Sequence, residues 1–196
     1  MKVADYKELI NLLPEEQHSF TIKKSNWERY FSESFGPLIL SQFTSDNIEI
    51  SRHDIFQSSS LDEVIIKTIL WGYPSGMRGN YFAQIMHNLN ELKAFLKYAR
   101  QGIVDWKLHN IQIPGLGLST YSKLLFFIRA EIEGYLSVIL DQRIIDTINK
   151  KCFDDLLLPK KISYQSGRIS KASGSLFETS SSSGDTSASS FCSIPI

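Results

Sequence analysis

Only two cysteines occur in the 196 residues, Cys152 and Cys192. They stand alone, with no CxxC pair and no histidine spaced as a co-ligand, so the sequence supports neither a zinc site nor an iron–sulfur cluster. A disulfide between them would be out of place in the cytoplasm, and both are read as ordinary thiols. Neither sign of charge is in excess: 21 Lys and Arg balance 21 Asp and Glu. Binding to nucleic acid would therefore need a local positive surface rather than a basic chain. No apolar run approaches the roughly 20 residues of a membrane span. The opening "MKVADYKELINLLPEEQ" carries charge through what would be the apolar core of a signal peptide. The expectation is a cytoplasmic protein with no membrane partner.

Core-forming residues are plentiful by contrast. Aromatics make up 12% of the chain and apolar residues 42%, enough for a sizeable core, and the length suits one ordinary domain, or one domain and a tail. Residues 3–13 suit a short helix ended by Pro14, and another helix can open at Ser25. "NIEISRHDIF" is the one stretch with weak strand alternation. Ser60, three residues before Glu63, has the spacing of a capping box and predicts a helix from Leu61 to Leu70. That helix should break at "WGYPSGMRGN". A second is predicted over 81–100, where Phe82, Ile85, Met86, Leu89, Leu92, Phe95 and Leu96 recur every three or four positions. Beyond residue 160 Ser, Gly and Thr dominate, a composition that buries too little apolar area to offset its ordering entropy. The fold class is mainly α. Three segments are expected: a helical extension 1–46, a helical domain 47–160 and a flexible Ser-rich tail 161–196.

The most telling stretch is "IQIPGLGLSTYSKLLFFI", residues 111–128. Pro114, Gly115 and Gly117 are turn chemistry, and Leu118, Tyr121, Leu124, Leu125 and Ile128 then follow helical spacing. A tight turn that ends in a helix N-terminus presents backbone N–H groups and a partial positive charge, which suits an anion. Gly115, Gly117, Ser119 and Thr120 are the candidate phosphate contacts. The alternative is a Gly-rich turn between helices with no ligand. Downstream, "SVILDQRIIDTI" places Asp141 after an apolar run and before another helical stretch, 22 positions past Ser119.

These two motifs resemble the helix-hairpin-helix (HhH-GPD) DNA glycosylase superfamily, in which such a hairpin and helix precede an aspartate entering the next helix. "PGLGLST" with "VILDQRI" looks like adenine glycosylases. "LWGYPSGMRGN", "SKLLFF" and "ILDQRI" look more like a bacterial 8-oxoguanine DNA glycosylase-like group, met among accessory proteins of anti-phage defence. The resemblance covers residues 50–150. It implies an enzyme that binds double-stranded DNA, flips out a damaged or modified base and cuts its N-glycosidic bond. No cofactor is required, although a monovalent cation could sit at the hairpin, and partners from a defence system are conceivable. The competing readings are a catalytically silent DNA-binding module and an interaction protein of a defence complex.

Bifunctional members carry a lysine two residues after the last hairpin glycine, where this chain has Ser119. Lys123 lies one turn on and shares a helix face with Ser119. It could reach the same cleft and act as nucleophile and AP lyase, or lie along the helix with its head in water. Asp141 would stabilise positive charge on the sugar, or serve as a helix N-cap, or both. Hairpin and Asp141 are expected to face one cleft. Trp71, Tyr73 and Arg78 are candidates for the base pocket or for DNA contact, against a purely structural loop with Trp71 in the core. Lys107 and His109 could add phosphate contacts, and Glu131 and Glu133 read as solvent-facing.

Overall fold

The computed structural model describes residues 15–102, 113–132 and 135–141, together with Glu8, Asp146 and Lys150. The described chain is mainly helical and falls into two compact units. The first holds residues 15–97 and 113–116, the second residues 98–102, 117–132 and 135–141. Apart from Glu8, the helix expected over 3–13 lies outside the described residues, as do the Ser-rich tail, both cysteines, and Lys107, His109 and Glu133.

The first unit opens on an antiparallel pair, β1 (Ser19–Lys23) and β2 (Asn47–Ser51), with Ile22 opposite Ile48 and Phe20 opposite Ile50. Weak alternation marks β2 in the sequence, and β1 (SFTIK) has the same length and alternates in the same way, so the expectation of a single alternating stretch is corrected. This pairing crosses the boundary expected between residues 46 and 47. No helix opens at Ser25. Two 3-10 turns, Lys24–Asn26 and Glu28–Tyr30, lead to the short α1 (Gly36–Leu40), which starts on a Gly-Pro pair. These turns deliver Trp27, Tyr30 and Phe35 to the ring of Phe82, with centroids 5.1, 4.8 and 5.8 Å away. Edge-to-face aromatic contact thus fills one side of the core.

Caps set the helices that follow. Ser51 and Asp54 exchange hydrogen bonds in a full capping box at the head of α2 (Arg52–Phe56). Ser60 accepts from the Glu63 N–H at the head of α3 (Leu61–Gly72), as its spacing predicts. The Glu63 carboxylate returns instead to the Ser59 N–H, at 2.9 Å. α3 runs two residues past Leu70 and buries Val64, Ile65, Ile66, Ile69, Leu70 and Trp71. The predicted helix 81–100 is two helices, α4 (Tyr81–His87) and α5 (Leu89–Arg100). Asn88 separates them: its side-chain amide donates to the Gln84 carbonyl at 2.8 Å and competes with the helical ladder. Leu92, Phe95, Leu96 and Ala99 form the buried stripe of α5.

In the second unit α6 (Leu118–Phe127) ends in a Schellman motif. The Arg129 N–H bonds the Phe126 carbonyl at 2.9 Å and the Ala130 N–H bonds that of Leu125 at 3.0 Å, with Arg129 left-handed at φ 54°. A short antiparallel pair follows, β3 (Glu131–Ile132) and β4 (Tyr135–Leu136). Part of the 22-position spacing between Ser119 and Asp141 is taken up here. Ser137 closes the loop, since its N–H and hydroxyl both donate to the Ala130 carbonyl, at 2.9 and 2.8 Å.

Two left-handed glycines of the first unit give a stability test. A Cβ on Gly115 (φ 82°) would lie 2.4 Å from the Tyr81 carbonyl oxygen, whereas one on Gly79 (φ 57°) meets nothing within 4 Å. Gly79→Ala should cost about 1–2 kcal/mol from backbone handedness alone. Gly115→Ala should cost about 3 kcal/mol or more, because overpacking adds to that term. Urea denaturation of both variants checks the order. Equal losses would show that the Tyr81 contact gives way freely.

Candidate active site

The Pro-Gly turn closes on itself through the Leu116 N–H, which donates to the Ile113 carbonyl at 3.1 Å. Ile113 is buried and Pro114 exposed. Gly115 is needed twice over, for its positive φ and for its approach to the Tyr81 backbone. Gly117 differs: at φ −80° it is the N-cap of α6 and supplies no side-chain cap. A helix entered from a glycine keeps its N-terminal partial charge uncovered by any capping side chain.

α6 is buried along most of its length, and its polar residues are the informative ones. Ser119, Thr120, Ser122 and Lys123 are all buried, and Thr120 is only 1% exposed. A phosphate reading of Thr120 therefore rests on its backbone rather than its hydroxyl. Ser119 also turns inward. Its Oγ accepts a hydrogen bond from Lys123 Nζ at 2.5 Å, and its carbonyl lies 3.4 Å from the same nitrogen. Lys123 is 7% exposed and does not keep its head in water. Burial lowers its amine from an ordinary pKa of 10.5 to about 8, while the nearby charge of Asp141 works the other way and raises it.

Asp141 reaches this neighbourhood by a traceable route. After the Schellman turn and the β3–β4 pair the chain runs back along α6. There the Leu140 N–H donates to Ser122 Oγ at 2.9 Å, and that hydroxyl is 3.3 Å from the Leu140 carbonyl. One serine thus pins the backbone directly before the carboxylate. Asp141 itself is half-buried. Its expected helix N-cap role falls on residues 142–145, outside the described residues. Ser122 was not legible as a site residue; the signal available was a hydroxyl placed among Tyr121, Leu124 and Leu125, where burial demands a partner.

The expected DNA contacts of the first unit divide. Trp71 is a core residue: it is 4% exposed, and its indole N–H donates to the His18 carbonyl at 3.3 Å. Rings of His18 and Phe20 meet its edges at 5.6 and 5.4 Å, and the Arg52 guanidinium stands 5.4 Å from its centroid. It sits on the apolar face of α3, so no base can stack on it. Tyr73 is half-buried at the C-cap of α3. The loop behind it is fastened by the Asn26 amide, which donates to the Pro74 carbonyl at 3.1 Å, and by Arg29, which donates to the Met77 carbonyl. Past that fastening Arg78 is exposed. So is Glu131 in the second unit, as its sequence position suggests.

A polar recess of the first unit, lined by Glu16, Ser19, Glu49, His53 and Asp54, contains none of the expected site residues. Its carboxylates would repel a phosphate backbone. Among the described residues no group of three or more His, Cys, Asp or Glu could hold a metal ion, and no helix is long and apolar enough to cross a membrane.

Fold and site together define a mainly helical protein whose buried helix carries an amine within electrostatic reach of a carboxylate, a pairing suited to chemistry at a sugar carbon. Residues 14–173 match the family described as "Putative 8-oxoguanine DNA glycosylase OGG-like protein", and the chain belongs to that family. The match takes in the β1 strand and the turns after it, which the motif resemblance did not reach. At the level of class this places the chain among DNA glycosylases, with DNA as substrate. No curated protein and no solved structure matches it.

The electrostatics of Lys123 can be measured directly. Its side-chain nitrogen, followed by NMR, should titrate with a midpoint near 8. Asp141→Asn should move that midpoint further down, because the lost negative charge favours the ammonium form. A midpoint at the ordinary lysine value, or no response to Asp141→Asn, would contradict the assigned causes.

Proposed function

We propose that this protein is a DNA N-glycosylase that excises 8-oxoguanine or a related modified base, with Asp141 and Lys123 as its catalytic residues and an AP-lyase step through Lys123. The observation that carries this reading is the buried Lys123 amine, held by Ser119 and subject to the charge of Asp141. A module that only clamps phosphate has no use for such a group. The family description supports the choice of base class. The turn at Gly115 and Gly117, with the first turn of α6, would take backbone phosphate and carry no sequence information. Arg78 and Tyr73 are proposed DNA contacts. The same chemistry on a base modified by a phage would serve defence rather than repair, and a panel of modified bases separates the two.

Breaking the N-glycosidic bond leaves positive charge on the deoxyribose, and a fixed carboxylate stabilises it. The Lys123 lone pair then forms a bond to C1′ as the base departs with the bonding electrons. Ring opening yields an iminium, and loss of a C2′ proton expels the 3′ phosphate. Only the neutral amine attacks. With a pKa of about 8, about a tenth of Lys123 is neutral at pH 7, roughly 300-fold more than for an ordinary lysine. Adduct formation should therefore rise about tenfold per pH unit below 8 and level off above it.

Single-turnover excision on duplexes carrying 8-oxoguanine, scored with and without alkali, tests the assignment. Asp141→Asn should slow base release by at least about two orders of magnitude while DNA binding holds or tightens. Lys123→Gln should abolish strand cleavage without alkali and retain some base release. If Asp141→Asn excises as fast as the native protein, the carboxylate has no catalytic role and the reading reduces to DNA binding.

A further inference from the structure

Lys123 does not extend away from α6. Its side chain folds back one turn, so that Nζ meets both the Oγ and the carbonyl oxygen of Ser119. Four-residue spacing permits this, since side chains at i and i+4 lie one above the other and the long one points towards the helix N-terminus. The consequence lies in the count of hydrogens. An ammonium has three N–H groups, whereas a neutral amine has two and a lone pair. Ser119 supplies two acceptors, which match the two N–H groups of the neutral amine. The lone pair then takes the remaining tetrahedral direction.

We infer that Ser119 is a positioning residue: it holds the Lys123 amine by two hydrogen bonds so that the lone pair is presented to the sugar. This rests on the glycosylase reading above and goes beyond it, because Ser119 was expected to contact phosphate and is instead turned to the amine. Ser119 is 8% exposed, so its hydroxyl is not displayed to a passing backbone. Truncation to alanine leaves a strong helix former in place, and the fold of α6 should survive it.

The test uses the full chain and a duplex with a preformed abasic site, which requires the amine but no base excision. Lys123 adds to the C1′ aldehyde, the carbonyl oxygen leaves as water, and borohydride delivers hydride to the iminium, which fixes the adduct. Native protein should trap, and Lys123→Gln should not. Ser119→Ala should trap at least about tenfold more slowly at its high-pH plateau, as expected when a reacting group is misplaced. Its pH midpoint should fall, since an acceptor that also stabilised the ammonium is gone. Its affinity for the duplex should stay at the native value, and Ser119→Thr, which restores the hydroxyl, should recover rate. Trapping by Ser119→Ala at the native rate and midpoint would overturn the inference while leaving Lys123 as nucleophile. A rate loss matched by an equal loss of affinity would also overturn it and return Ser119 to the phosphate. No trapping by native protein, or undiminished trapping by Lys123→Gln, would remove the lysine reading and this inference with it.

Discussion

A lysine amine held almost entirely out of water is the constraint on which the second unit turns. Burying an ammonium without partners is too costly to persist, so the group must find acceptors, shed its proton or sit beside a negative charge. Lys123 does all three in part. Ser119 supplies two acceptors on the same helix, burial lowers the amine pKa to about 8, and Asp141 restrains that fall. The balance leaves an amine that changes protonation state close to neutrality, which is the condition for a nucleophile or base at working pH.

The remainder of that unit can be read as the means of holding Asp141 where its charge counts. The Schellman turn reverses the chain after Phe127, the short β3–β4 pair follows, and Ser137 ties the end of the pair back to Ala130. Ser122 then fixes Leu140. Each device is local and uses backbone groups that would otherwise need partners. In the first unit, Gly115 is committed to its contact with the Tyr81 backbone, so its substitution tests folding before it tests any ligand.

Much of this was legible in the sequence, and the gaps have physical causes. The head of α3 followed from Ser60, because an N-cap is a local bond between neighbours in the chain. The β1–β2 pair was half hidden: Phe20 and Ile22 alternate as Ile48 and Ile50 do, but two apolar residues in five are too short a run to decide a strand until its partner is known. Asn88 split a continuous apolar stripe by a side-chain bond that no stripe reveals. Trp71 followed the buried face of α3 despite the turn residues after it. For the site, spacing alone put Ser119 and Lys123 on one face. The direction of the hydroxyl, inward to the amine rather than outward to an anion, depends on packing around α6 that one sequence does not display. Ser122 stayed unread for the same reason: its partner is 18 residues away in the chain.

The central claim, that Lys123 is the group that bonds to the sugar, is tested most directly by locating the bond. The native protein would be reacted with an 8-oxoguanine duplex in the presence of borohydride, the adduct digested with protease and nuclease, and the attachment point read by mass spectrometry. The account predicts the sugar remnant on the Nζ of Lys123. A remnant on the N-terminal amine or on any other lysine would contradict it.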